Sequence, residues 1–412
     1  MLIDNCSIGT STTSWLAGVG IYGDYSNSPA NVTVNNCTIY ATRRVITTFY
    51  ISKNVYSGNN LFVASPALSQ AFYCGIYVTG GDTPDTTLIY GNKVTQLLTN
   101  RTTTGFAAPV IMYGYAGVVN IVNNMFAPNF GNIATGTDPN NYYGLALGGF
   151  WAGTCNMYYN TIRLNATTNT GFISGIGFDG GWTEATTPTL TIKNNIFVIE
   201  KNDTTAYALN HRTKLVPLVS DFNNIKVGAN AFSGNYQGAK CKTLADWQLA
   251  SFQDINSKAV AVNFVSATDL RLIGTSVGDA NLKGTPIPGW TKDINGNTRN
   301  ATKPYMGADE SQGQPSAVLV DGAVPTQFEL NQNYPNPFNP STQIRFTIAQ
   351  PGATTLKIYD MMGREVSTLV NETLVTGTYS VKFDARGLSS GTYIYVLTSG
   401  GHRLANKMLL LK

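Results

Sequence analysis

His211 and His402 are the two histidines of this chain, so proton-shuttling chemistry away from the C-terminus has to run through His211. Asp179 upstream and Arg212 directly after it complete a trio with a recognisable chemistry. A carboxylate can orient the imidazole, the imidazole can take a proton, and the guanidinium can hold an anion. The same residues would serve equally well as a hydrogen-bonded surface pair. Carboxylate-pair chemistry has less to work with. Glycoside hydrolysis needs two carboxyl groups about 5–5.5 Å apart for retention, or about 6.5–9.5 Å for inversion. Only ten acidic residues precede Lys240, and they do not gather in neighbouring repeats; Asp179 with Glu184, within one loop, is the exception.

A second set of residues suits binding better than bond cleavage. Tyr22, Tyr77, Tyr113, Tyr115, Trp151 and Trp182 fall at or beside positions expected to face outward. Flat aromatic faces in a row match the weakly polar faces of sugar rings, with Asn and Thr supplying hydrogen bonds. Packing beneath the loops that follow each strand is the competing use. The five cysteines (Cys6, Cys37, Cys74, Cys155, Cys241) are scattered and lack CxxC spacing. They suit buried small hydrophobes better than a zinc site or a disulfide framework, with room for one or two incidental disulfides. No metal site is expected from them.

The elements that must position these side chains are repeats. An Asn followed by a small or polar residue and then an apolar one recurs at Asn36, Asn60, Asn92, Asn124, Asn160, Asn195 and Asn224, and Asn5 extends the series backwards. A parallel column reads Gly75-Ile76-Tyr77-Val78-Thr79-Gly80, Pro109-Val110-Ile111-Met112-Tyr113-Gly114, Gly144-Leu145-Ala146-Leu147-Gly148-Gly149 and Gly175-Ile176-Gly177-Phe178-Asp179-Gly180, with Gly18 to Gly23 as an earlier copy. Its second and fourth places are apolar and its sixth is Gly, which describes a strand with one inward face ending at a turn. The fifth places form an outward column of Tyr22, Thr79, Tyr113, Gly148, Asp179 and Asn210. A period of about 30 residues without helical periodicity predicts a solenoid whose coils stack at about 4.8 Å. The recurring Asn would hydrogen-bond along the stack and accept left-handed backbone geometry. The expected boundaries are 1–240 for the coils, 241–312 for final coils and a C-terminal cap, and 313–324 for a linker.

Composition limits the partners. Charged residues are 12% of the chain and the net charge of +4 is spread without a basic run, so a nucleic-acid partner is not expected. No apolar stretch is long enough for a transmembrane helix. Asp293-x-Asn295-x-Asn297 has its Gly at the fourth place, where a calcium loop needs it at the sixth, and therefore predicts a polar turn.

From Val324 the pattern changes to alternating segments, QIRFTI, TTLKIYD, YSVKFDA and TYIYVLT, separated by Pro-Gly, Met-Gly-Arg and Ser-Gly breaks. They predict a small antiparallel β-sandwich over 325–412. Tyr334-Pro335-Asn336-Pro337-Phe338-Asn339-Pro340-Ser341-Thr342, the Tyr359-Asp360 pair before Gly363-Arg364, and Leu388-Ser389-Ser390-Gly391-Thr392-Tyr393 resemble the type A C-terminal sorting domain of the type IX secretion system. That resemblance implies that secretion machinery is a partner of residues 325–412. It also implies passage through the periplasm to the outer cell surface or extracellular space, in a bacterium of the Bacteroidota or a neighbouring phylum. Met1 to Cys6 has no basic region, apolar core or cleavage site and enters a repeat part-way, so a longer protein or a misplaced start is expected.

The coils in turn resemble the right-handed parallel β-helix of pectate lyases and related polysaccharide-active proteins. The whole then reads as an all-β chain: a right-handed parallel β-helix solenoid followed by a small antiparallel β-sandwich sorting domain. A lyase of that kind would need calcium held by clustered carboxylates, and the scattered acids argue for no cofactor unless the chain is such an enzyme. The expectation is a monomeric surface protein that binds extracellular polysaccharide without cleaving it. A polysaccharide lyase or glycoside hydrolase is the first alternative, and a structural or adhesive surface protein the second.

Overall fold

The computed structural model describes residues 1–8, 19–22, 31–41, 44–49, 53–65, 72–79, 86–98, 106–113, 117–129, 141–148, 153–165, 171–179, 189–211, 217–310, 318–321, 325, 327–350, 352–374, 376–385 and 388–411. These residues form two compact units, 1–271 with 279–310, and 272–278 with 311–412.

The first unit is a parallel β-solenoid. Three strands per coil feed three sheets, two of eight strands and one of nine. Coil five shows the plan: Val118–Val122 in the first sheet, Met125–Asn129 in the second and Asn141–Gly148 in the third. Each strand pairs in register with its equivalents one coil before and after, as in Val110↔Leu145 and Leu145↔Ile176. The apolar places of the repeat point inward. Ile76, Val110, Leu145 and Ile176 meet Val94, Phe126, Ile162 and Phe197 of the second sheet in one continuous core. The first place of the glycine column is a packing requirement. A Cβ at Gly144 would stand 2.6 Å from Ile162 Cγ2 and 2.5 Å from the Gly175 carbonyl oxygen, so a larger side chain would push two sheets apart.

The turn between the first and second sheets uses two adjacent positions where the sequence suggested one. Asn59, Asn92, Asn124, Asn160, Asn195 and Asn223 are fully buried, and each of the first five donates its Nδ2 to the Oδ1 of the next, over 2.9–3.1 Å. The left-handed residue is the one before: Asn36, Gly58, Gly91, Asn123, Tyr159, Asn194 and Phe222, all with φ between 51° and 65°. Asn36, Asn60 and Asn224 are therefore not rungs of the ladder. Cys37, Asn59 and Asn223 stand there, because only the residue directly after the left-handed turn aims its amide along the stack.

The C-terminal end is closed by a helix, Leu244–Ser251, begun by a reciprocal Thr243–Asp246 capping box and stopped by Phe252 at φ 55°. Its Trp247 is fully buried against the core and meets Tyr236 edge-on at 5.8 Å. The following chain returns along the solenoid. Phe264, Leu270, Ile294 and Ala308 cover Met125 and Ala127 on the outer side of the second sheet. The left-handed residues hold this strap: Asn123 Nδ2 donates to the Lys292 carbonyl, Tyr159 Oη to that of Thr285, and Asn194 Nδ2 to the same Thr285 oxygen. Arg299 binds Asn123, lies 3.8 Å over the Tyr159 ring and pairs with Glu310 at 3.1 Å, almost entirely buried. Asp293 accepts the N–H groups of Asn295, Asn297 and Glu310, so its carboxylate organises a turn.

The second unit carries two antiparallel four-stranded sheets around one apolar core that includes Phe338, Ile344, Phe346, Leu356, Tyr395 and Met408. Val318–Asp321, inside the segment expected to be a linker, pairs with Gly377–Asp384 as an edge strand. Val-Leu-Val-Asp is too short an apolar run to fix a strand by periodicity alone.

Candidate binding face and secretion tail

The third sheet positions the residues singled out above. Thr79, Tyr113, Gly148 and Asp179 stand opposite one another at the ends of successive strands. Tyr113 is 41% exposed, an open aromatic ring at the end of its strand. Tyr22 ends the strand Val19–Tyr22 opposite Phe49, and Asp179 ends Phe172–Asp179; the side chains of both lie outside the described residues. Tyr115, Trp151, Trp182 and Arg212 are also outside them.

Tyr77 lies on the outer side of the same sheet but is 6% exposed. It packs with Cys74, Ala108, Ile111, Tyr143 and Ala146, and the Arg44 guanidinium stands 4.1 Å from its ring centroid. Its ring is a packing element with a cation on one face.

The Asp179–His211 pairing is decided by register. Gly177 pairs with Asn210, so His211 falls in step with Phe178 and one place short of Asp179. The equivalents of Phe178 in earlier coils, Val78, Met112 and Leu147, belong to the inner core. His211 is buried and stacks on Tyr236 at 5.6 Å. Asn210 likewise belongs two places before the Asp179 column. The sequence count had slipped by two places across the change of coil, and His211, one place short of Asp179, falls on the other face of the sheet.

A ring ladder that the sequence reading did not single out runs along the beginnings of these strands. Tyr143 and Phe172 are 6.0 Å apart, Phe172 and Tyr207 5.4 Å, and Tyr207 and Phe232 5.1 Å. Lys242 Nζ caps the last ring at 5.0 Å. Gly177 makes room for it, since a Cβ there would stand 1.9 Å from the Tyr143 ring. The signal was present as an aromatic near the start of each of these strands, but attention to the strand ends passed over it.

Among the described residues no group of three or more His, Cys, Asp or Glu side chains could hold a metal ion. Among the described residues no helix is long and apolar enough to cross a membrane.

In the second unit the motif residues have structural uses. Asp360 accepts the N–H groups of Met362 and Arg364 and pairs with Arg364 Nε at 2.7 Å, which closes the hairpin. Asn336 Oδ1 accepts the Leu409 N–H, and Phe338 exchanges backbone bonds with Leu409 and Leu411, joining the proline-rich segment to the last strand. Tyr395 Oη accepts from the Asn333 N–H and donates to the Asn331 carbonyl. Residues 332–411 match the family of secretion system C-terminal sorting domains. The chain is thus a parallel β-solenoid protein with a type IX sorting domain, directed to the cell surface or the extracellular space. Among curated proteins and among solved structures, none matches it.

Proposed function

We propose that the solenoid, akin to the pectate-lyase-like β-helices, acts as a monomer that binds extracellular polysaccharide without cleaving it, along the strand-end edge of the third sheet. The observation that carries this reading is the in-register column of Thr79, Tyr113, Gly148 and Asp179, in which an open tyrosine ring stands among small and polar positions at coil spacing. An exposed phenol offers an apolar face for a sugar ring and a hydroxyl for hydrogen bonding. Tyr22, Tyr115, Trp151 and Trp182 would extend the surface from the same strand ends and the segments after them. Export through the sorting domain supports a partner met outside the cell. The non-catalytic half of the reading draws on His211, whose ring is buried and out of step with Asp179.

The test is a glycan array and a polysaccharide-degradation screen on the full chain, with and without calcium. Binding without turnover, weakened at least tenfold by Tyr113→Ala and by Trp151→Ala, is the expected result. New unsaturated or reducing ends, abolished by Asp179→Asn or His211→Ala, would replace it with a lyase or hydrolase. Silence in both assays would favour a structural surface protein.

A further inference from the structure

The amide ladder does not reach the first coils. Ser7 pairs with Thr38 and Thr38 with Asn60, so Cys6, Cys37 and Asn59 occupy one column. Two thiols stand where later coils carry asparagine.

Their surroundings repeat closely. Asn5 and Asn36, the residues before them, both have φ 51°. Cys6 Sγ donates to the Asp4 carbonyl at 3.2 Å and Cys37 Sγ to that of Asn35 at 3.1 Å, each two residues back. The two side chains therefore leave equivalent turns in the same direction, one coil apart. Stacked coils are separated by about 4.8 Å, inside the roughly 4.4–6.8 Å between α-carbons that a disulfide spans. Burial pushes the Cys37 thiol above its usual range, and Cys6 is the cysteine that bears on it. Cys6 is exposed and Cys37 buried, whereas Cys74, Cys155 and Cys241 are buried in other parts of the unit.

We propose that Cys6 and Cys37 form a disulfide during export, which staples the first described coil to the second. The oxidant is a thiol–disulfide oxidoreductase of the compartment the chain crosses. The exposed Cys6 thiolate attacks the oxidoreductase disulfide, forming a mixed disulfide and releasing one of its thiols. Cys37, as thiolate, then attacks Cys6 Sγ and expels the second thiol. Two substrate thiols lose two protons and two electrons, and one oxidoreductase disulfide becomes a dithiol. The link replaces, at this end of the stack, the side-chain bonds that join the coils from Asn59 onward.

The test uses the purified full chain, equilibrated with oxidised and reduced glutathione, then denatured, alkylated and digested without reduction. Mass spectrometry should find three alkylated cysteines per chain and one peptide pair joined through Cys6 and Cys37. Closure should quicken as pH rises, since the buried Cys37 must lose its proton to attack. Five alkylated cysteines, or a glutathione adduct that persists on Cys6, would overturn the proposal. So would a Cys6→Ser chain that still protects two cysteines, because the link would then lie elsewhere.

Discussion

The two ends of the asparagine ladder are built from different chemistry, and the direction of its hydrogen bonds accounts for the difference. Between side chains every amide donates toward the C-terminal end, from Asn59 through Asn223, while its second N–H returns to a backbone carbonyl of the preceding coil. The last amide needs a strong acceptor, and it meets Asp254 Oδ1 at 2.9 Å. That carboxylate also accepts from Ser257 Oγ at 2.6 Å and from Trp247 Nε1 at 2.8 Å, so the ladder, the plug and the last turn share one buried group. At the other end Asn59 Oδ1 already holds the Cys37 N–H at 2.9 Å and requires no side-chain donor. A polar row of this kind needs an acceptor where its donors point and tolerates a thiol where they begin.

The middle of the row should be the most sensitive place to break it. Asn160 Oδ1 accepts both the backbone N–H and the Nδ2 of Asn124, while its own Nδ2 serves the Ile121 carbonyl and Asn195 Oδ1. Asn160→Ala would leave the buried Asn124 N–H and the Ile121 oxygen without those partners. At about 1–3 kcal/mol for each of these two orphaned groups, the loss should be about 2–6 kcal/mol in urea unfolding. A loss below about 1 kcal/mol would mean that water replaces the amide and that stacking of the strands alone holds the coils.

The repeat was legible in the sequence because backbone requirements recur with it. A left-handed residue is needed at each turn, an amide next to it and a small residue where two sheets approach, so Asn and Gly reappear at one spacing. What was misread has a common cause. Double-asparagine turns such as Asn59-Asn60 and Asn223-Asn224 hide which Asn is the rung, and only hydrogen-bond direction separates them. The placement of His211 needed register across two coils of unequal length, and a one-place error exchanges inside for outside. The strap was harder still. Its contacts, such as Arg299 with Asn123, join residues 176 positions apart and follow no period. In the tail, by contrast, local motifs close local turns, as Asp360 does with Arg364, and short-range patterns sufficed.

Asp254 permits a finer comparison, between its charge and its shape. Burial pushes its carboxyl above the ordinary range, and hydrogen bonds from Ser220, Ser257, Asn223 and Trp247 pull it back. A raised folded value means that the fold favours the protonated form relative to the unfolded chain. The corresponding stability is complete below the unfolded carboxyl value, about 3.9, and is lost as pH rises through the folded value. Asp254→Asn keeps the shape but turns a donor toward one of the donors that the carboxylate accepted. It should cost about 1–3 kcal/mol near neutral pH. The gap between wild type and variant should be wider at pH 4 than at neutral pH. A gap that narrows on acidification would show the carboxylate to be the better-held form and would reverse the sign of the shift.

The smallest expected effect lies at the thiol end and tests the polarity argument most directly. Under reducing conditions Cys37→Asn should add a rung. The new Nδ2 would reach the Ile3 carbonyl, which the Cys37 thiol now approaches at 3.8 Å, and the remaining lone pair of Asn59 Oδ1. Its own Oδ1 would accept the Cys6 N–H, as Asn59 now accepts that of Cys37. All of its hydrogen-bonding groups then have partners, so the variant should be more stable than the reduced wild type by about 0.5–1.5 kcal/mol. The same substitution removes the cross-coil disulfide, so under oxidising conditions the order should invert. Loss of stability in both conditions would mean that the first turns are packed around sulfur and cannot admit an amide. That result would locate the end of the ladder in shape and not in the direction of its hydrogen bonds.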